Sequence, residues 1–113
     1  MLNNELLNEV LNYKKEVEII DTPNEDADFF VLKIGEHGTT FDACTLANLC
    51  KQWATDKGFY IQSKVDKVQD KLYGYSEIHN IDTNSYVANF NGSTEYESIF
   101  KATRWIYNKL KNT

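Results

Sequence analysis

Two histidines and two cysteines are the residues of this 113-residue chain best suited to making and breaking bonds, and their spacing supports little such chemistry. His37 sits in Gly35-Glu36-His37-Gly38, which reads as a loop, and His79 follows a strand-like run close to Asp82. A thiolate beside an imidazole would form a nucleophile–base pair, so Cys50 with either histidine is the pairing to consider; no local motif joins them. A surface-loop histidine accounts for each more simply. Structural zinc needs three or four Cys or His ligands at short, characteristic spacings, whereas the chain has four such residues in all and none in a CxxC or HxxxH arrangement. No catalytic residue, metal ligand or cofactor is assigned, and no GxxxxGK[ST] or GxGxxG segment offers a phosphate cradle.

Cys44 and Cys50 are six residues apart on an expected helix, about 240° around its axis at about 100° per residue, and so cannot bridge each other. Both are expected to be reduced and buried. The carboxylates Glu25, Asp26 and Asp28 could in principle hold a hard cation, but their spacing is not that of an EF-hand loop. With Asp21 and the only proline, Pro23, they read instead as a solvated acidic loop open to a partner.

Tyrosines are the next group with a chemical use. Tyr60, Tyr73, Tyr75 and Tyr86 fall on three strand-like segments, and a face of tyrosines can bind a partner protein or stack nucleobases. One face of any such sheet must also pack on helices, where tyrosines are common, and this packing is the first expectation. Lys64, Lys67 and Lys71 gather around one turn. They keep open an alternative reading, RNA or single-strand binding through tyrosines and lysines together.

The elements that would position these groups follow from periodicity. Leu2, Leu6, Leu7, Val10 and Leu11 predict an amphipathic helix over Asn3 to Lys15, and Val17, Ile19 and Ile20 favour a strand after it. Phe29 to Ile34 is a nearly unbroken apolar run, expected to be a strand buried on most of both faces and closed by Gly35 and Gly38. Leu46, Leu49, Cys50 and Trp53 mark a second helix with Asp42 or Thr40 as N-cap and Lys57-Gly58 as its stop. Phe59 to Val65, Leu72 to Ile78 and Tyr86 to Phe90 predict an antiparallel meander, with Asp66 to Asp70 as a turn and Gly74 at a bulge or close approach. Thr94 and Glu97 make a capping box, and Tyr96, Ile99, Phe100, Thr103, Ile106, Tyr107 and Leu110 form the stripe of a third helix.

The fold predicted is one α+β domain: an α-β-β-β-α core over residues 40–113, with two helices on a small antiparallel three-stranded sheet. An N-terminal helix and the Phe29 to Ile34 strand, over residues 1–39, extend it. Apolar residues are 42% of the chain and fifteen are aromatic, enough for a packed core and against intrinsic disorder. No run approaches the roughly 18 apolar residues of a membrane span, and Met1 to Glu9 lacks a basic leader, so a cytoplasmic protein with no membrane partner is expected, as monomer or homodimer. Residues 1–58 carry eleven acids and five lysines, a balance of −6, while residues 59–113 carry six acids and seven bases, or +1. The net −5 argues against general duplex binding, which draws on phosphate neutralisation.

Two resemblances run over Leu46 to Leu110. The order helix, three strands, helix resembles a double-stranded RNA-binding domain, but that family places a lysine cluster at the start of its last helix, where this chain has Ser93-Thr94-Glu95-Tyr96-Glu97-Ser98. Carboxylates there would repel phosphate. The segments Leu46-Ala47-Asn48-Leu49-Cys50-Lys51-Gln52-Trp53, Lys57-Gly58-Phe59-Tyr60-Ile61, Tyr73-Gly74-Tyr75-Ser76-Glu77-Ile78 and Glu95-Tyr96-Glu97-Ser98-Ile99-Phe100-Lys101-Ala102 are similar to small bacteriophage and prophage proteins without a catalytic motif. That similarity implies origin on a mobile element and a non-enzymatic accessory role. The resulting expectation is a protein-binding module acting on a host or phage protein, with the blocking of a partner's nucleic-acid-binding surface as one form of that role.

Overall fold

The described elements follow the order α1 (Asn4–Leu11), β1 (Val17–Ile19), β2 (Phe29–Ile34), β3 (His37–Asp42), α2 (Ala43–Asp56), β4 (Phe59–Val68), β5 (Lys71–Asn80), β6 (Ser85–Gly92) and α3 (Glu95–Lys111). This is a computed structural model, and it describes residues 2–11, 17–19 and 28–112. The strands form two antiparallel three-stranded sheets, β1-β2-β3 and β4-β5-β6, which with the helices make an α+β fold. The predicted α-β-β-β-α run is present as α2-β4-β5-β6-α3. Phe29–Ile34 is a strand with the predicted bounds, but it belongs to the first sheet and does not lengthen the second.

Local chemistry sets the helix ends. A helix leaves its first N–H groups without partners, and the Asp42 carboxylate takes two of them, Cys44 N at 2.9 Å and Thr45 N at 3.2 Å. Asp42, and not Thr40, is therefore the cap of α2. Gly58 follows its end at φ 93°, a left-handed conformation that costs glycine little. On α3, Thr94 Oγ1 accepts from Glu97 N at 3.1 Å, and the Glu97 carboxylate accepts from Ser93 Oγ at 3.2 Å. Lys109 and Lys111 lie in the last turn, where cations complement the helix dipole.

The apolar stripes of α2 and α3 meet over one face of the β4-β5-β6 sheet. Leu46, Cys50 and Trp53 from α2 and Ile99, Phe100, Ile106 and Tyr107 from α3 are buried with Phe59, Ile61 and Ile78 from the strands. Leu6 and Leu7 from α1 and Phe30 and Leu32 from β2 join the same cluster. Phe30 stands edge-on to Phe100 at 5.4 Å between ring centroids, which ties the first sheet to α3. Ser76 and Ser98, both fully buried, bond to each other at 2.6 Å, and Thr103 Oγ1 donates to Ile99 O at 2.7 Å.

Glycine decides how closely α3 approaches. Gly74 and Gly92 are partners in the β5–β6 register, and a Cβ on Gly74 would lie 1.9 Å from the Thr94 carbonyl oxygen. Gly74 thus marks a close approach, while the bulge of the sheet lies between Ile78 and His79.

Several expectations are corrected. His37 is not in a loop; it opens β3, a strand missed because its exposed polar residues do not alternate clearly with apolar ones. His79 likewise lies within β5. The first sheet packs on the core through one face only, so Phe30 and Leu32 are buried while Phe29 is 59% exposed. Asp66 to Val68 continue β4, and the turn is Gln69-Asp70, both at positive φ (50° and 64°) as a two-residue hairpin turn requires. Cys44 is exposed, because it falls on the solvent side of the first turn of α2. The predicted helix residues 12–15, and the loop residues Asp21, Pro23, Glu25 and Asp26, lie outside the described residues.

Gly74→Ala should lower stability by about 3 kcal/mol, since backbone on both sides of the contact must move, which a urea melt followed by circular dichroism would measure. Replacing Gln69-Asp70 by Asn-Gly should raise it by about 1 kcal/mol by suiting the left-handed turn, with the midpoint rising in the same melt.

Candidate functional site

Alternation along a strand sends Phe59 and Ile61 of β4 and Ser76 and Ile78 of β5 toward the helices, and so sends Tyr60, Gln62, Lys64 and Asp66, with Tyr73, Tyr75, Glu77 and His79, to the opposite face. Cross-strand register stacks these residues in rows. Tyr60 pairs with His79, which pairs with Tyr86; Gln62 pairs with Glu77, which pairs with Asn89; Lys64 pairs with Tyr75, and Asp66 with Tyr73. All four strand tyrosines singled out in the sequence therefore share the face away from the helices. Core or semi-core packing is the first expectation for them; Tyr60 is 52% and Tyr86 55% exposed, while Tyr73 and Tyr75 are half-buried on the face away from the helices.

The bulge is what brings Tyr86 here. Ala88 pairs with Ile78 on the helix side, but the next partner of β5, His79, is Tyr86, so Val87 is passed over and Tyr86 turns outward. Val87 and Ala88 both pack against the core.

Glu77 is the hub of the face. Tyr75 Oη donates to Oε1 at 2.8 Å, and His79 Nε2, 3.1 Å from Oε2, must carry the proton, because a carboxylate only accepts. These bonds, Tyr75 first and then His79, hold the Glu77 carboxyl below its ordinary 4.5. Asn89 Nδ2 donates to Tyr86 Oη at 2.7 Å, and His79 stands edge-on to the Tyr86 ring at 6.1 Å. Lys64 Nζ lies 5.5 Å from the Tyr75 ring centroid and 3.4 Å from Asp66, which accepts from Tyr73 Oη at 3.3 Å. A hollow of about 140 Å³ opens among Gln62, Ser63, Lys64, Tyr75 and Glu77. The side chains of Tyr73, Tyr75 and Tyr86 are held before any partner arrives, and Tyr60 and Tyr86 remain exposed.

Other candidates are scattered. Of the lysines Lys64, Lys67 and Lys71, the first and last lie on the outer face, while Lys67 pairs with Asp70 at 3.4 Å on the hairpin turn. Asp28 accepts from Tyr96 Oη at 2.6 Å, and its carbonyl accepts from Ala43 N at 2.8 Å, so it ties the entry of β2 to both α2 and α3. Cys50 is fully buried on α2, where loss of solvation pushes its thiol up to about 12. The sheet separates it from His79, and among the described residues no thiol, imidazole and carboxylate are brought together. Among the described residues no three His, Cys, Asp or Glu converge on a metal position, and no helix is long and apolar enough to cross a membrane.

A separate cleft of about 530 Å³ lies between α1 and α2, bordered by Glu9, Val10, Leu49, Trp53 and Asp56. The buried Trp53 indole N–H has no acceptor among the described residues. Beside it Lys111 pairs with Glu5 at 3.2 Å, and Glu5 also accepts from Tyr107. Burial first, then these carboxylate contacts, raises Tyr107 to about 12, as burial and Asp28 raise Tyr96 to about 12.

Three measurements follow. Native protein should react rapidly with a thiol reagent at Cys44 alone, with Cys50 reacting only on unfolding. The folded state favours neutral Tyr96 and Tyr107, so their contribution is complete below pH 10 and lost as pH rises from 10 toward 12; Tyr96→Phe should flatten that alkaline loss in stability-versus-pH curves. Glu77 has the opposite sign: its contribution is present above pH 4.5 and lost as pH falls further, and Glu77→Gln should remove that part of the acid limb.

No protein-family model, no curated protein and no solved structure matches the chain.

Proposed function

We propose that this chain is a non-enzymatic protein-binding module that docks through the outer face of β4-β5-β6. One observation carries the reading: four tyrosines lie on a sheet face that no described helix covers, and the hydroxyls of Tyr73, Tyr75 and Tyr86 are already bonded within the face. Aromatic rings in fixed positions lose little freedom on binding, and tyrosine is among the residues enriched at interface centres. A polar network satisfied internally adds orientation without asking the partner to replace lost bonds.

Charge separates a protein partner from a nucleic acid. Of the three lysines at this end of the sheet, Lys64 has Asp66 and Lys67 has Asp70 at hand, and Glu77 sits at the centre of the face. A phosphate backbone would meet as much repulsion as attraction there. The first turn of α3, which holds phosphate in the RNA-binding domains the layout resembles, carries Glu95 and Glu97. The bacteriophage or prophage origin expected from the sequence extends the proposal: a mobile-element accessory protein in the host cytoplasm, acting on a host or phage protein. The −6 balance of residues 1–58 suits a partner whose own ligand is a nucleic acid, whose basic surface it would occupy.

A photo-crosslinking amino acid placed at Tyr60 or Tyr86 should give discrete protein adducts in cell lysate, and the same group at Asn108 on the far end of α3 should not. With the partner in hand, Tyr60→Ala with Tyr86→Ala should cost about 2 kcal/mol, roughly thirtyfold in Kd. Retention of RNA in a low-salt gel shift, abolished by Lys64→Ala with Lys71→Ala, would replace this reading by the nucleic-acid one.

A further inference from the structure

The geometry points to a second copy of this chain as the occupant of the free edge of β4, with the two strands antiparallel about a two-fold axis at Val65. This inference is independent of the proposed docking face. β4 is the outermost strand of its sheet, and among the described residues none pairs with its other side over the ten residues Phe59–Val68. A bare edge of that length, about 33 Å, is a template for another strand.

Which backbone groups are free follows from the hairpin. In a two-residue turn the flanking pair, here Val68 and Lys71, exchanges both hydrogen bonds, and bonded pairs then recur at every second residue. Ile81 N donating to Gly58 O at 3.1 Å continues that phase at the other end of the strand. The even-numbered residues of β4 therefore bond to β5. Ser63, Val65 and Lys67 direct their N–H and C=O groups outward, and a partner strand must match odd residues with odd.

Side-chain charge then selects the register. Pairing Val65 with Val65 of the second copy sets Lys64 opposite Asp66 and Asp66 opposite Lys64, two attractions on one face. A slip of two residues either way instead sets Lys64 against Lys64 or Asp66 against Asp66. In the chosen register Ser63 also meets Lys67, so the three outward residues exchange about six backbone hydrogen bonds. The helix-facing side adds apolar contact, since Val65 is 54% and Leu72 62% exposed beyond the reach of α3. The Asp66 carboxylate now covers part of this edge by accepting from its own Lys67 N–H at 2.8 Å. On pairing, that N–H passes to the Ser63 carbonyl of the other copy and Asp66 turns to its Lys64. The product is a six-stranded sheet in which the two tyrosine faces form one surface.

Sedimentation velocity over a range of concentrations tests this. Wild type should show a reversible monomer–dimer equilibrium. Lys64→Asp alone and Asp66→Lys alone should each weaken the dimer roughly tenfold, because both cross-strand pairs become repulsive, and mixing the two variants should restore a heterodimer. Val65→Pro removes only an outward N–H, so it should abolish the dimer while leaving circular dichroism and the melting curve close to wild type. A monomer at every concentration overturns the inference. So does a dimer indifferent to Val65→Pro, or charge variants whose mixture does not re-associate.

Discussion

How near a helix can lie to a sheet is set by the smallest residues between them, and here those residues are two glycines facing each other across β5 and β6. With Gly74 and Gly92 at that place, the Thr94 carbonyl and the first turn of α3 rest almost on the strand backbone. The approach puts Ser98 in reach of Ser76 and centres Phe100 over the sheet, where Phe30 of the other sheet closes on it. The same contact commits one face of the sheet to the core. What is left on the other side is the face that carries Tyr60, Tyr73, Tyr75 and Tyr86.

That surface combines two properties that usually trade against each other. The rings of Tyr60 and Tyr86 are exposed, yet most of its polar atoms are satisfied by one another: Tyr75 and His79 by Glu77, Tyr86 by Asn89, Tyr73 by Asp66. Side chains bonded laterally have few rotamers to lose, so a partner would gain contact area at a low entropic cost. Pairing Lys64 with Asp66 and Lys67 with Asp70 helps keep the surface close to neutral although the chain as a whole is acidic.

The sequence disclosed those parts of the fold in which the local and the tertiary signal agree. α3 could be read from its stripe and its Thr94 cap, and α2 from Leu46, Cys50 and Trp53, because one side of each helix is dry. β3 and the distal ends of β4 and β5 could not, since strands at a solvated edge need no apolar alternation: His37 to Asp42 and Asp66 to Val68 resemble loop in composition while bonding as strand. Phe29 to Ile34 misled in the other direction, for an apolar residue on an exposed face looks the same in sequence as one in a core. Tyr60, Tyr73, Tyr75 and Tyr86 were visible as a group, but their face was undetermined. That depended on which strand residues the helices covered, and for Tyr86 on a bulge with no sequence marker.

The bulge in β6 makes surface identity a matter of chain length. With one residue fewer between Ala88 and the turn at Asp82 to Asn84, Val87 would occupy the position beside His79, and Tyr86 would rotate into the interior against Asn80. A single-codon deletion would thus act as an exchange of two side chains between solvent and interior, with no amino acid replaced. Related chains differing only in that spacing would present different chemistry on an otherwise superimposable scaffold.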